Sequence, residues 1–539
     1  MALSESIAGS HAAASPSGEL LACISDKKLR LYQTTAPGSC AEFSLRIPAK
    51  DISSIKWAEC SAKVAVCSSQ CIEVVDLDDP GHRIKLDNGS GGLGQIASAD
   101  FIGVEHLLVT WEFGRAKLWN VETGKSFELD DLKTTNNGPS WALRPRNQHA
   151  APTLALLSRK DAVDYLTLHV PASEKSMPAV RYGSVDSQAV LWSPDGRWLA
   201  IEETTWAEPH IAFFTPDGHR FRDYPWKNLY TDDCNYDHAV KEILWSPDSS
   251  TLAVSRYDSS IVLLNSRTFA PRALIEHSTT IDQRHATNNE RALVWQEVVS
   301  PSNVRSYTLA SQTVSPPRSS DKVQGKGDFG VTEMKYSCDG RYLATCDRRM
   351  LSTVWIWEVA TDFDAIAVVI QHSNVRRLHW HPTRPDILMF DCGESIVYLL
   401  DLSTSEPPIP FMIAMPATPT FSWIHTPAES KPVILASTKS TFCLLYPEGR
   451  VEQADAGAID TGDVNESLPF IEGRSEDSLL EALTGRKSTR QETQPSYTEV
   501  VEMEADGEAT VGLDDTFREK RRPRHAEMEV DPLDDSDIF

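Results

Sequence analysis

The chain of 539 residues lacks several things that would point to particular functions. No apolar run approaches the ~18 residues of a membrane span, and the start, MALSESIAGSHAAASPSG, has neither a basic nor an apolar leader segment. Positive charge is scarce: 52 Lys and Arg stand against 77 Asp and Glu, a formal charge of −25. That balance argues against nucleic acid as the main partner, because phosphate backbones are bound chiefly by Lys and Arg. The ten cysteines form no Cys-x-x-Cys pair. Cys60, Cys67 and Cys71 are the closest set and read as ordinary strand cysteines rather than zinc ligands, which come at closer, paired spacing. Free thiols in a reducing cytosol or nucleus are the expectation.

Catalytic signatures are missing too. There is no Gly-x-Ser-x-Gly, no His-Glu-x-x-His, and no Gly-x-Gly-x-x-Gly leading from a strand into a helix. Gly89 to Gly94 is glycine-rich but has no Walker lysine, so a tight loop between strands is the better reading than a phosphate cradle. His379 and His381 stand two apart and would share one face of a strand, yet no further ligand lies nearby in sequence. No catalytic, cofactor-binding or metal-binding residue is therefore nominated, and no cofactor is expected.

What is present is a repeat. Leu191-Trp192-Ser193-Pro194-Asp195-Gly196 followed by Trp198-Leu199-Ala200-Ile201 is its clearest copy. Ile243-Leu244-Trp245-Ser246-Pro247-Asp248 with Leu252-Ala253-Val254 repeats it, as does Met334-Lys335-Tyr336-Ser337-Cys338-Asp339-Gly340 with Tyr342-Leu343-Ala344. Weaker copies surround Ser15, Trp57, Phe101, Leu143, Trp380 and Trp423. The turn has a mechanism: Pro presets φ, Asp bonds its own backbone, and Gly accepts positive φ. The flanks are short runs of β-branched and aromatic residues, which favour strands. Third strands end in an aromatic and a polar residue at Trp119-Asn120 and Trp357-Glu358.

Markers fall mostly about 42 to 53 residues apart, the period of a WD repeat. The pattern predicts an all-β WD-repeat β-propeller over 1–450, as one large ring or two smaller propellers. The interval from Trp245 to Tyr336 is about double. It hides either a degenerate blade, with Val294-Trp295 and Tyr307-Thr308-Leu309 as candidate strands, or a long loop, and Ser311 to Gly330 reads as exposed. Trp192, Trp245 and Trp380 are expected to pack between blades.

Residues 451–539 differ in composition, with 24 acidic against 9 basic residues after Val451. They read as a disordered acidic tail. Within it, Ser475 to Leu483 resembles a capped amphipathic turn, and Arg518 to Arg524 is a basic cluster compatible with nuclear import or a solvated charge run. Binding is expected on a propeller face or rim rather than in the tail.

Three stretches carry a family resemblance: Lys85 to Leu93 ahead of Lys117-Leu118-Trp119; Val240 to Asn265 with Glu276 to Ile281; and Leu343-Ala344-Thr345 through Ser352 to Glu358. Over roughly residues 10 to 450 the chain resembles the WD repeat-containing protein 8 family, also called the WD repeat protein antisense to the p73 gene, in its fungal form. The resemblance implies a non-enzymatic scaffold of the cytoskeleton at the spindle pole body or centrosome, reaching the nucleus in mitosis. It also implies a coiled-coil anchoring partner and, in fungi, a minus-end-directed kinesin, together holding microtubule minus ends of the mitotic spindle. Because the chain is acidic, microtubule contact is expected to be indirect, with no direct nucleic-acid or membrane partner. The competing expectation is a substrate receptor of a ubiquitin ligase or a chromatin-associated propeller.

Overall fold

The computed structural model describes residues 2–449 apart from 36, 39, 49–50, 80, 88–93, 130, 136–137, 146–151, 172–174, 177–179, 182–185, 204–209, 226–239, 282–291, 319–329 and 362. The acidic tail, the Ser475 to Leu483 and Arg518 to Arg524 segments, and most of the Gly89 to Gly94 loop lie outside the described residues.

Each sequence marker lies at the first strand of one sheet, and the described residues hold nine sheets, antiparallel except for one added strand in the seventh. Blades 1 to 6 span Ser10–Ser44, Ile52–Asp87, Ile96–Glu128, Trp141–Ser176, Ser187–Pro225 and Val240–Glu276. Blades 7 and 8 span Val331–Ile370 and Arg377–Met412, and blade 9 begins at Thr420 and ends at Tyr446. First strands of adjacent blades approach one another, which places them innermost. Second strands such as Leu199–Glu203 and Tyr342–Asp347 are buried along their whole length. A strand covered on both faces reads as a continuous apolar run, which is why these segments show little alternation.

Whether the repeats form one ring or two is decided by what the faces pack against. Among the described residues there are nine apolar clusters, and each joins two consecutive blades. One joins blade 9 to blade 1: Leu21, Cys23 and Tyr32 meet Ile424, Leu435 and Phe442. The chain is thus a single nine-bladed WD-repeat propeller, and the alternative of two smaller propellers is set aside. The N-terminal segment closes it through backbone hydrogen bonds, since Ala2 and Leu3 pair with Tyr446 and Leu445 as the outer strand of blade 9.

Trp192, Trp245 and Trp380 end inner strands and are 6 to 8% exposed. Four indole N–H groups, though not that of Trp245, reach back one blade: Trp57 donates to the Ala13 carbonyl at 3.0 Å, Trp192 to Ala142 at 3.2 Å, Trp380 to Lys335 at 2.9 Å and Trp423 to His379 at 3.0 Å. The same side chain therefore fills the gap between blades and satisfies a neighbouring backbone acceptor. The predicted turn is also closed as its residues suggest. Ser193 Oγ accepts from the Trp198 N–H at 3.0 Å and donates to Asp195 at 2.6 Å, while Gly196 sits at φ 67°. Ser337 and Asp339 repeat the bonds.

Among the described residues, the long interval before Tyr336 founds no blade of its own. Leu293–Val299 and Arg305–Leu309 form a hairpin that joins the outside of blade 7 and makes it six-stranded. Both candidate strands were in the right place, but they extend a neighbouring blade instead of founding their own.

Candidate protein-interaction site

The hairpin is the largest departure from four-stranded blades among the described residues. Leu293–Val299 pairs in parallel with Ala365–Ile370, from Leu293 opposite Ala367 to Gln296 opposite Ile370. Parallel pairing requires a crossover. The chain leaves blade 6 at Glu276, runs out to the rim, turns, and returns to start blade 7 at Val331. Ile281 and Val314 bridge the outgoing and returning connections with two backbone bonds of 2.8 and 2.9 Å.

Alternation along the strand anchors it on both sides. Val294, fully buried, joins the cluster between blades 6 and 7, and Trp295 joins the one between blades 7 and 8. A polar network then fixes the hairpin to blade 8. Glu297, with no exposed side-chain surface, accepts from Arg305 Nη1 at 3.2 Å, from the Tyr398 hydroxyl at 2.9 Å and from the His372 N–H at 2.9 Å. Arg305 Nη2 reaches Glu394 at 2.7 Å, and Ser373 donates to the same carboxylate at 2.6 Å. Gln371 Nε2 donates to the Tyr307 hydroxyl at 2.6 Å. Burial pushes both phenols, Tyr307 and Tyr398, well above the ordinary tyrosine range, so both stay neutral.

Among the described residues, no strand pairs with the outer edge of Arg305–Leu309. Ser300 N–H bonds the Val304 carbonyl and Ala310 N–H bonds the Val294 carbonyl. With the register of Trp295 opposite Leu309, alternation turns the backbone groups of Arg305, Tyr307 and Leu309 outward. Eight large hydrophobic residues are exposed among the described residues, and three, Val298, Val304 and Leu309, belong to this hairpin. Other outer strands carry the charges and prolines that discourage edge pairing: Arg83, Lys85 and Asp87 in blade 2, Pro271 and Arg272 in blade 6, and Pro410 in blade 8. The hairpin edge has only Arg305, and that side chain is tied inward. Such an edge can take up an extended segment of a partner as one more strand.

At the root of the same blade is a second network. His277 Nδ1 lies 2.9 Å from the Ser259 carbonyl and Nε2 lies 2.8 Å from Thr345 Oγ1. The Trp357 indole donates to Thr345 at 2.9 Å, and Ser259 donates to the buried Asp347 at 2.8 Å. Burial holds His277 below the ordinary histidine range. Sequence reading singled out Trp357 but passed over His277, whose only signal was the Glu276-His277 pair just after a blade ends.

Other nominated residues have structural places. His379 lies on an inner strand and His381 in the following turn, and among the described residues no group of three His, Cys, Asp or Glu is placed to hold a metal. Cys67 and Cys71 are buried in blade 2 and Cys60 is exposed in its first turn, all as free thiols. Burial raises the Cys67 thiol to about 11.

Two relatives in sequence are WD-repeat proteins, in agreement with this architecture. No family model matches the chain. It is 26% identical over 417 residues to mouse WD repeat-containing protein WRAP73, covering 71% of this chain and 83% of that protein. It is 25% identical over 289 residues to the uncharacterized WD repeat-containing protein C32H8.09 of Schizosaccharomyces pombe, 52% of this chain and 55% of that one. Among solved structures it is similar to a eukaryotic initiation factor (TM-score 0.49, 9% identity, 76% of this chain and 89% of that one). It is also similar to the Dos1 propeller (TM-score 0.44, 11% identity, 74% and 93%). The chain is a WD-repeat β-propeller scaffold for protein–protein interaction, of a typically non-catalytic class. It is distantly related to WRAP73 and other WD-repeat proteins.

Proposed function

We propose that this scaffold works as an adaptor at the spindle pole body or centrosome. There it holds a coiled-coil anchoring protein and a minus-end-directed kinesin and so helps anchor microtubule minus ends. The observation that carries the reading is the relationship to mouse WRAP73, which runs through most of both chains. The three resembling stretches quoted from the sequence support it further. In this reading the partner docks at blade 7, where the edge of Arg305–Leu309 and the exposed Val298, Val304 and Leu309 offer backbone groups and apolar surface together.

Contact with the microtubule is indirect. About −15 of the formal −25 lies after Val451, and the remaining −10 on the propeller still opposes an acidic polymer. The experiment is to follow the tagged full-length chain through the cell cycle. Discrete spots at the spindle poles support the reading. Diffuse nuclear signal throughout would refute it and favour the ubiquitin-ligase or chromatin alternative, for which Arg518 to Arg524 speaks. A Val298→Asp, Val304→Asp double variant should fold normally and lose the spots.

A further inference from the structure

The gap between blades 8 and 9 holds a cavity of about 180 Å³. Strand register shows what stands in the same place elsewhere in the ring. Trp192 pairs with Leu199 in blade 5 as Trp380 pairs with Leu388 in blade 8, so the residues before these partners, Trp198 and Ile387, correspond. One residue on, Ala200 pairs with Phe213 as Met389 pairs with Leu399, so Phe213 and Leu399 correspond as well. In the fourth strands, Arg222 opposite Phe213 matches Ile409 opposite Leu399. Ile387, Leu399 and Ile409 all line the cavity.

Between blades 5 and 6 that place is taken by Phe269, which follows the third strand of blade 6, Ser260–Asn265, and is buried. Its ring stacks on Phe213 at 3.6 Å and meets Trp198 edge-on at 5.2 Å. The described part of blade 9 supplies no such ring. Its third strand ends at Tyr446, and the sequence continues Pro447-Glu448-Gly449-Arg450. Pro447 and the buried Pro432 of blade 9 face the aliphatic wall of blade 8 across the cavity. Apolar cavities of ~150 Å³ accept a benzene ring, so this one has room for a phenyl side chain. Three exposed carboxylates, Asp401, Glu406 and Glu448, stand among its lining residues, so it opens to solvent on an acidic rim. Arg384 takes Glu448 at 2.7 Å. Asp401 accepts the Ser403 N–H at 2.9 Å, and neither it nor Glu406 forms an ion pair among the described residues.

We propose that this cavity binds a peptide of a partner protein through one aromatic side chain, with an adjoining Arg or Lys set against Asp401 and Glu406. An aromatic ring buries a large area for little lost rotamer freedom, and Phe411 in the wall gives it a second ring to contact. The molecule itself places a phenyl ring at the corresponding position of blade 6. Charge selects the flanking residues, because an acidic rim on an acidic chain favours a basic peptide. The outer strand of blade 8, Ile409–Met412, carries Pro410, so the peptide is held by its side chains rather than as an added strand. The site is separate from the blade 7 edge and independent of the spindle-pole reading.

The test uses the purified full-length chain and a fluorescent peptide, Gly-Arg-Phe-Arg-Gly, read by anisotropy at low salt. Saturable binding is expected, and alanine in place of the peptide's phenylalanine should weaken it about tenfold, ~1.4 kcal/mol. Ile409→Trp fills the cavity from an exposed position and should abolish binding while leaving the melting temperature unchanged or higher. Glu406→Lys, on the rim, should weaken binding about tenfold, an effect that fades as salt rises. Absence of saturable binding by the wild-type chain overturns the proposal, as does undiminished binding by Ile409→Trp. Equal binding of the alanine peptide would reduce the site to charge alone and overturn it too. The Val298→Asp, Val304→Asp variant should bind the peptide as the wild type does; loss there would place the peptide on blade 7 and overturn the assignment. A wild-type dimer that Ile409→Trp converts to monomer would give the cavity to a second copy, with the same consequence.

Discussion

His381 offers the sharpest test of how the blade turns are built. Blades 5, 6 and 7 place Ser193, Ser246 and Ser337 directly after the inner-strand aromatic, and blade 8 places His381 there. The backbone closure is shared, with His381 N–H bonding the Ile387 carbonyl at 2.9 Å just as Ser193 N–H bonds Trp198 at 2.8 Å. The side chain does different work. Nδ1 accepts from the Thr383 N–H at 3.2 Å and the Arg384 N–H at 3.0 Å, so the ring must be neutral, with its proton on Nε2. The ring is wholly buried and meets Trp423 edge-on at 4.7 Å. Burial first, then Arg384 and His425, push its pKa down to about 4. The folded value lies below the unfolded ~6.5, so acid favours unfolding. The stabilisation is complete above ~6.5 and is lost as pH falls toward 4. At pH 5 the linkage amounts to about 2 kcal/mol. His381→Ser should lower the urea midpoint at pH 7.5, because it forfeits the packing on Trp423. Its further loss between pH 7.5 and 5.0 should be smaller than that of the wild type by about 2 kcal/mol. His277 and His379, also held low by burial, titrate in both proteins and cancel. Equal losses on acidification in the two proteins would refute the reasoning.

Three further outcomes are expected. Trp380→Ala should cost about 3–5 kcal/mol in denaturant unfolding. Trp380→Phe, which keeps a ring stacked on Tyr342 but leaves the Lys335 carbonyl without its donor, should cost only about 1–2 kcal/mol; equal costs would contradict the packing account. Glu202 is buried, and that burial, with Glu242 adding to it, raises its pKa to about 8. A raised value means stability is complete below ~4.5 and is lost as pH climbs through 8, so Glu202→Gln should stabilise the protein most near pH 8 and progressively less toward pH 4.5. No pH dependence in that difference would count against it. Thr345→Val keeps the shape but strips His277 and the Trp357 indole of their common partner, at about 2–3 kcal/mol, while Thr345→Ser should restore most of it. Denaturation of the pair decides whether the hydroxyl or the methyl matters.

A good part of this was legible along the chain. Ser-Pro-Asp-Gly at 193–196 and its copies set turns through bonds between near neighbours, and Leu199–Glu203 and its counterparts announce doubly covered strands by unbroken hydrophobicity. Such features depend on a few adjacent residues, so nine markers were countable and the buried tryptophans recognisable from their place in the repeat. The tertiary structure decided everything that depends on which surface meets which. One ring rather than two follows from Leu21 and Cys23 facing Leu435 and Phe442, and from Ala2 pairing with Tyr446 at the far end of the propeller. Val294 and Trp295 formed the strand expected of them, yet only their packing against blades 6, 7 and 8 made it an addition to blade 7. His277 and His381 gained their roles in the same way. Period is a local property that survives in the linear order, whereas ring closure and the blade 7 hairpin join residues tens to hundreds of positions apart. The energy that selects those contacts exists only once the faces touch.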